Sequence, residues 1–298
     1  MQFNGPLMVA LKATSDAVER VLDPLLKVPE GLEGKVVEAM RYAMFAGGKR
    51  LRPFLVIASS ELFDVPKAQA LRVAAAIECV HCYSLIHDDL PAMDNDDMRR
   101  GKLTTHNEYD EATAILAGDA LLTLAFEILC DEATHPDACV RVALIKLLAQ
   151  SSGHQGMVGG QMIDLSADDH ELSESDIYRL QRMKTGALIS FSAEAGCILA
   201  GADKKQRQSL HGYANDLGLA FQIADDLLDI EGIEEEVGKA VGKDEAAGKA
   251  TIVSLIGLEK ARIQAQMIAD QAIEHLKDFG DKADLLRALA HFAVTRRK

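Results

Sequence analysis

Two clusters of carboxylates sit inside otherwise apolar stretches of this 298-residue chain: Asp88, Asp89 and Asp94 in one, and Asp225, Asp226 and Asp229 in the other. Carboxylates crowded on an apolar segment repel one another and are costly to desolvate. A hard divalent cation relieves both penalties, and carboxylate oxygens are its preferred ligands. One cluster alone reads equally well as an acidic helix end or a solvated face. Two of them, each following turns rich in Leu, Ile and Ala, point to metal. Asp225 and Asp229 are four residues apart, so they share one helix face, with Asp226 alongside. Asp88 and Asp94 are i and i+6 and would diverge by about 120° on an unbroken helix. Pro91 lies between them. It disfavours the α conformation before it and removes a helical hydrogen bond, so the chain can loop out and return Asp94 toward Asp88.

Basic groups accompany the acids. Gly47-Gly48-Lys49-Arg50-Leu51-Arg52-Pro53 occupies the junction of two helical stretches. Its glycines let the backbone approach a ligand closely, and its Lys and Arg side chains supply donors for phosphate oxygens. Arg99-Arg100-Gly101 begins five residues beyond Asp94, which suggests a diphosphate bridged by Mg²⁺ and Arg. Lys184-Thr185-Gly186, Phe221-Gln222 and Gly238-Lys239 are weaker signals of the same kind. Any one basic cluster alone reads first as solvated surface. Taken together the motifs describe two facing metal sites, several phosphate grips and an apolar helical interior. The ligand implied carries one or more diphosphates and an apolar tail.

The elements that must position these groups are helices. Apolar residues recur at helical spacing almost everywhere, as in Val18, Val21, Leu22 and Leu25, or Val36, Val37, Met40 and Ala43. Later helical stretches are expected at about Arg52 to Phe63, Lys67 to Leu90, Ala112 to Ala133, Ala138 to Val158, Ser173 to Ala200, Lys204 to Ile230, Ile252 to Phe279 and Lys282 to Arg296. Breakers separate them at Pro66, Pro91, Pro136, Gly159-Gly160, Gly201 and Gly232. Ser173 with Asp176 has the form of a capping signature. No sustained period-two pattern flanked by hairpin turns and no fixed-period repeat is found. The expectation is one all-α domain over residues 1–298, with about ten or more helices around a central cavity.

Composition narrows the function classes. Trp is absent and aromatics are few, which suits helices better than sheets. The formal net charge of -14 argues against nucleic-acid binding, whereas basic islands at Lys49, Arg50 and Arg52, at Arg99, Arg100 and Lys102, and at Lys239, Lys243 and Lys249 suit small anions. Five scattered cysteines argue against a disulfide framework. Cys79-Val80-His81-Cys82 is half a zinc site without its other half, and buried thiols are the better reading. The most apolar window, Ala112 to Cys130, contains Asp119 and Glu127 and reads as a core helix, with no membrane span expected. Nothing in Met1 to Val9 has the form of a signal peptide. A cytoplasmic protein is expected.

In this order the motifs closely resemble those of bacterial farnesyl diphosphate synthases, within the short-chain trans-isoprenyl diphosphate synthases. The likeness runs from Gly47 to Pro53 through His81 to Asp94, Arg99 to Gly101, Gly118-Asp119-Ala120, Gly159-Gly160-Gln161, Lys184 to Gly186, Phe221-Gln222 and Asp225 to Asp229, ending at Gly248 to Thr251. One departure is Leu103, where the family usually has Pro. The resemblance implies that Asp88 and Asp94, in a motif with Asp89, bind two Mg²⁺ ions, and that Asp225, supported by Asp226 and Asp229, binds a third. It implies that Arg99, Lys184 and Lys239 grip an allylic diphosphate, and that Lys49, Arg52, His81 and Arg100 hold isopentenyl diphosphate. Thr185 and Gln222 would lie beside a developing carbocation. It further implies a homodimer. The basic tail Arg296-Arg297-Lys298 has two readings, closure over the site or a frayed solvated end.

The expected substrates are isopentenyl, dimethylallyl and geranyl diphosphates, and the expected product is (2E,6E)-farnesyl diphosphate. An allylic diphosphate pinned at Asp88 must run its tail away from the metal. Tyr83 and Ser84, five and four residues before Asp88, are then the natural floor. A geranyl or geranylgeranyl diphosphate synthase and a non-catalytic synthase subunit are the rivals. A class I terpene cyclase would normally lack Lys49 and Arg52, and a non-catalytic subunit would usually lose one acid cluster.

Overall fold

Helix signals dominate the chain locally, and the computed structural model follows them; it describes residues 4–167, 170, 172–231 and 251–296. In chain order the elements are α1 (Asn4–Leu25), α2 (Gly34–Met44), α3 (Leu51–Glu61), α4 (Lys67–Asp88), the strands β1 (Met98–Arg99) and β2 (Lys102–Leu103), α5 (Thr105–Glu108), α6 (Glu111–Cys130) and α7 (Ala138–Ser152). They continue with α8 (Met157–Ser166), α9 (Glu174–Gln181), a π-helical turn (Arg182–Gly186), α10 (Ala187–Ala200) and α11 (Lys204–Glu231). After the undescribed stretch come α12 (Ile252–Ile256), α13 (Leu258–Glu274), a 3₁₀ turn (Lys277–Ala283) and α14 (Asp284–Thr295). The fold is all-α.

The helix starts are written locally. Asp110 accepts from the Thr113 backbone at the head of α6, Asp137 accepts from Cys139 at the head of α7, and Ser173 with Asp176 forms the anticipated capping box on α9. Gly201, at φ 60°, ends α10 in the left-handed conformation. Helices α4 and α10 form the centre. From Val73 to Val80 every α4 residue is buried, and so is every α10 residue from Leu188 to Leu199. Such all-round burial removes amphipathic periodicity, because neighbours cover every face. Helix α4 packs on α3 and α6, and α10 on α3, α7 and α11. Helix α6 is long and apolar enough to cross a membrane, but half of that window is buried inside the fold.

Four expectations need correction. Gly159-Gly160 does not break the chain but lies inside α8. A Cβ at Gly160 would stand 2.3 Å from the Lys184 backbone nitrogen, so these glycines serve a close helix contact. The helix expected to reach Val158 stops at Ser152, before Gly153. The stretch from Ile252 to Phe279 is divided at Gly257, whose φ is 82°, and again after Glu274. Finally, a short antiparallel ribbon exists where none was expected, pairing Met98 with Leu103 and Arg99 with Lys102. Its turn is Arg100-Gly101, both at positive φ, and Leu103 therefore takes the place of the family's usual Pro within a paired strand. Gly232 falls outside the described residues.

Candidate active site

Helix α4 delivers the first acidic motif. It ends at Asp88, three residues before Pro91. The chain then doubles back, and Asp94 donates its backbone N–H to the Asp88 carbonyl at 2.9 Å. The return anticipated from Pro91 is thus present. Burial, reinforced by the Asp94 carboxylate and opposed by Lys184 and Arg99, pushes the Asp88 carboxyl up to about 6. Asp89 behaves differently. It is buried, and both its oxygens accept from Arg99 Nε at 2.8 Å.

The second motif lies on the unbroken helix α11 and divides in the same way. Asp226 is buried and accepts from Gln222 Nε2 at 3.0 Å and from the Ile252 backbone N–H at 3.2 Å. Asp229 is also buried. Asp225 is the accessible member, and Arg296 Nη2 lies 2.8 Å from its Oδ1. The same guanidinium stacks 3.6 Å from the Phe221 ring centroid, with its side chain 4% exposed. Of the two readings of the tail, Arg296 therefore turns inward, while Arg297 and Lys298 lie outside the described residues.

The cationic groups converge from four elements. Gly47 and Gly48 sit at φ 88° and 126°, and the Arg100 guanidinium lies where a Cβ on Gly48 would be, 2.6 Å from its Cζ. Arg100 also donates to the Gly47 carbonyl. Arg52 Nη1 lies 3.5 Å from His81 Nε2. Burial, then the neighbouring Arg52 and Arg100, holds His81 well below its ordinary value, which keeps the ring neutral. Lys49 Nζ lies 5.9 Å from the Phe292 ring centroid. Lys184, in the π turn, pairs with Asp164 of α8 at 2.5 Å. Beside it Thr185 donates to Gln222 Oε1 at 3.2 Å. Lys239 lies outside the described residues.

Some of these groups border an apolar cavity of about 420 Å³, within the usual ~300–1,000 Å³ range of small-ligand sites. Its walls include Arg52, His81, Asp88, Lys184 and Thr185, together with Tyr83, Ser84, Met157, Met162 and Leu165. Tyr83 is 6% exposed and meets the His87 ring edge-on at 5.7 Å. Ser84 Oγ donates to its own helix at the His81 carbonyl.

Among the described residues no three Asp, Glu, His or Cys side chains already converge as a metal cage. The donors nonetheless suit a hard cation. Asp88 is a half-buried carboxyl raised by desolvation and by a second carboxylate, which a divalent ion would relieve, and Asp225 faces a guanidinium that serves as counter-charge. The α8 contribution was missed from sequence. Asp164 follows Gln161 by three residues, one turn on, which was the available signal.

A family model described as polyprenyl synthetase matches residues 33–291. The chain is similar to the farnesyl diphosphate synthase of Escherichia coli (strain K12), 44% identical over 305 residues covering 100% of both chains. It is also similar to the geranylgeranyl diphosphate synthase of Cyanophora paradoxa, 43% identical and covering 99% of this chain and 98% of that one. Among solved structures, an apo FPP/GFPP synthase from Zymomonas mobilis shares 51% identity and superposes with a TM-score of 0.89, covering 97% of this chain and 99% of that chain. With an ordered pair of acidic motifs facing cationic grips on an all-α frame, this chain belongs to the polyprenyl synthetase family.

Proposed function

We infer that the protein is a magnesium-dependent trans-prenyltransferase that condenses isopentenyl diphosphate with dimethylallyl and then geranyl diphosphate, giving (2E,6E)-farnesyl diphosphate. The observation that carries this reading is one apolar cavity bordered by Asp88, Lys184 and Thr185 and walled by Tyr83 and Ser84. It joins charge-handling groups to a space for a hydrocarbon tail. Asp88, Asp94 and Asp225 would hold the metal, three ions in all, with Asp89, Asp226 and Asp229 fixing their surroundings. Bound magnesium would supply neutralising charge to the diphosphate leaving group.

The chain's own groups divide the remaining work. Arg99, Lys184 and Lys239 stabilise the departing allylic diphosphate. Lys49, Arg52, His81 and Arg100 hold isopentenyl diphosphate. As the allylic C–O bond breaks, its electron pair leaves on the diphosphate. The isopentenyl double bond attacks the allylic carbon and forms the new C–C bond. A proton then leaves the adjacent carbon, restores a double bond and passes to the released diphosphate. Thr185 and Gln222, linked at 3.2 Å, direct oxygen dipoles beside the developing cation. The apolar walls exclude water that would otherwise quench it.

A homodimer is part of this reading, supported by Ile115 and Leu116 of α6, 43% and 55% exposed on an apolar helix. A cytoplasmic location is part of it as well. A longer product is the second reading, because similar chains bear geranylgeranyl and FPP/GFPP synthase names; the bulk of buried Tyr83 favours fifteen carbons. Incubation with dimethylallyl and isopentenyl diphosphates, with magnesium or EDTA, tests the whole assignment. A fifteen-carbon alcohol after dephosphorylation, abolished by EDTA, is expected. No condensation under any condition would favour a non-catalytic subunit.

A further inference from the structure

A carboxylate used in none of these steps lies beneath the isopentenyl grip. Glu78 is 1% exposed in the middle of α4, between buried Ile77 and Cys79. His81 follows it by one turn, and Asp88 follows ten residues on, a rise of about 15 Å along the same helix. Arg50 Nη1 donates to Glu78 Oε1 at 2.5 Å. Arg50 Nη2 donates to the carbonyl of Met44, the last residue of α2, and lies 3.5 Å from Glu19 of α1. One buried guanidinium thereby joins α1, α2 and α4 to the turn that carries Lys49 and Arg52.

The backbone makes the same point independently. Arg50 occupies φ 49°, ψ 43° immediately before α3. A residue with a Cβ adopts that left-handed conformation reluctantly and keeps it where surrounding contacts enforce it. The side-chain contacts at this residue include those to Glu78 and the Met44 carbonyl. Glu78 also acts electrostatically on Arg52 and Arg100, where burial is the larger influence and Glu78 opposes it. A buried ion pair is weak evidence for stability, since an apolar pair of similar volume often serves as well. The pair therefore needs a role in specifying geometry.

We propose that Arg50 and Glu78 are positioning residues for isopentenyl diphosphate: their buried ion pair locks the Gly47–Arg52 turn onto α4, so that Lys49 and Arg52 meet the diphosphate at a set separation beside His81. This rests on the assignment of Lys49 and Arg52 to that substrate. A purely electrostatic role for Glu78 has the opposite sign, because deleting a carboxylate beneath an anion site tightens anion binding.

The decisive variant is the double substitution Arg50→Met/Glu78→Gln, which leaves net charge unchanged and buries no unpaired ion. The substrate KM values and the calorimetric Kd of isopentenyl diphosphate would be measured alongside thermal melting. The expected result is a rise of about tenfold in the isopentenyl KM and Kd, with the dimethylallyl KM within about twofold, as for a misplaced binding group. Arg50→Lys, which keeps the charge but loses the planar fork, should shift the same constants in the same direction. An unchanged or tighter isopentenyl Kd in the folded double variant overturns the proposal, and so does an equal rise in both KM values. Arg52→Ala is the control. If it leaves isopentenyl binding intact, the grip lies elsewhere and the underlying assignment fails; if it weakens binding while the double variant does not, only the positioning role fails.

Discussion

At the first acidic motif the helix stops and the chain doubles back; at the second the helix runs on without a break. Asp94 reaches Asp88 through a loop beyond Pro91, whereas Asp225, Asp226 and Asp229 follow one another on α11. Both regions nonetheless split their acids. Asp89 is tied to Arg99, and Asp226 to Gln222 and the Ile252 N–H. Asp88 and Asp94 in the first and Asp225 in the second are the less buried members. The regions also differ in what surrounds a more accessible acid. Asp88 is squeezed by burial and a like charge, while Asp225 is half-exposed and already faces Arg296. The difference shows that a run of Asp residues is not a set of equivalent ligands.

Four measurements would break or sharpen this contrast. The largest effect is expected on turnover: Asp88→Ala should lower kcat by about three orders of magnitude or more, and Asp225→Ala by somewhat less, with circular dichroism unchanged. Near-normal turnover in either would remove that motif from the site. Next comes product length, a property of the first region alone. Ser84→Phe should shift the product toward ten carbons, and Tyr83→Ala should admit twenty or more. Chromatography of the dephosphorylated alcohols decides it, and an unchanged fifteen-carbon peak in both variants would sink the floor assignment.

The third effect is on folding. Asp89→Asn removes one partner of a largely buried pair and should destabilise the protein by about 2 kcal/mol in urea titration. Equal destabilisation by Asp94→Asn would erase the distinction between the buried and the exposed acid of this motif. The smallest effect has a diagnostic sign. The Asp88 carboxyl, at about 6 in the folded protein against 3.8 as its ordinary value, holds its proton more tightly when folded. Its destabilising charge is fully present above about pH 6 and vanishes as pH falls through the ordinary value. Asp88→Asn should therefore stabilise the metal-free protein at pH 7, by about 1 kcal/mol, and make no difference near pH 3.5. Asp225→Asn, which strips Arg296 of its acidic partner, should destabilise at pH 7. Melting curves of metal-free protein at the two pH values test both signs.

Much of this organisation is legible in the chain. The two acidic runs, the glycine-lysine-arginine turn and the Pro91 break are local, and local patterns survive folding because they set backbone conformation directly. The all-α class follows from the periodicity for the same reason. What could not be read was non-local. Glu78 sits in an alanine-rich run with nothing nearby to mark Arg50 as its partner. Gly159-Gly160 has the composition of a turn, yet it is helical because the π turn packs against it. Asp164 is one acid among many until Lys184 is brought to it from twenty residues away.

That π turn has a consequence for register. An ordinary α-helix advances about 100° per residue. The wide turn at Arg182–Gly186 holds one extra residue between α9 and α10. Deleting a single residue there would let the segment relax to a plain helix, with α10 still seated among its buried neighbours. Lys184 and Thr185 would then sweep around the helix axis, away from the cavity wall. Such a deletion variant should keep its helical circular-dichroism spectrum and lose turnover. The widened turn thus acts as an angular offset written into the sequence, separating the phase of the frame from the phase of the chemistry.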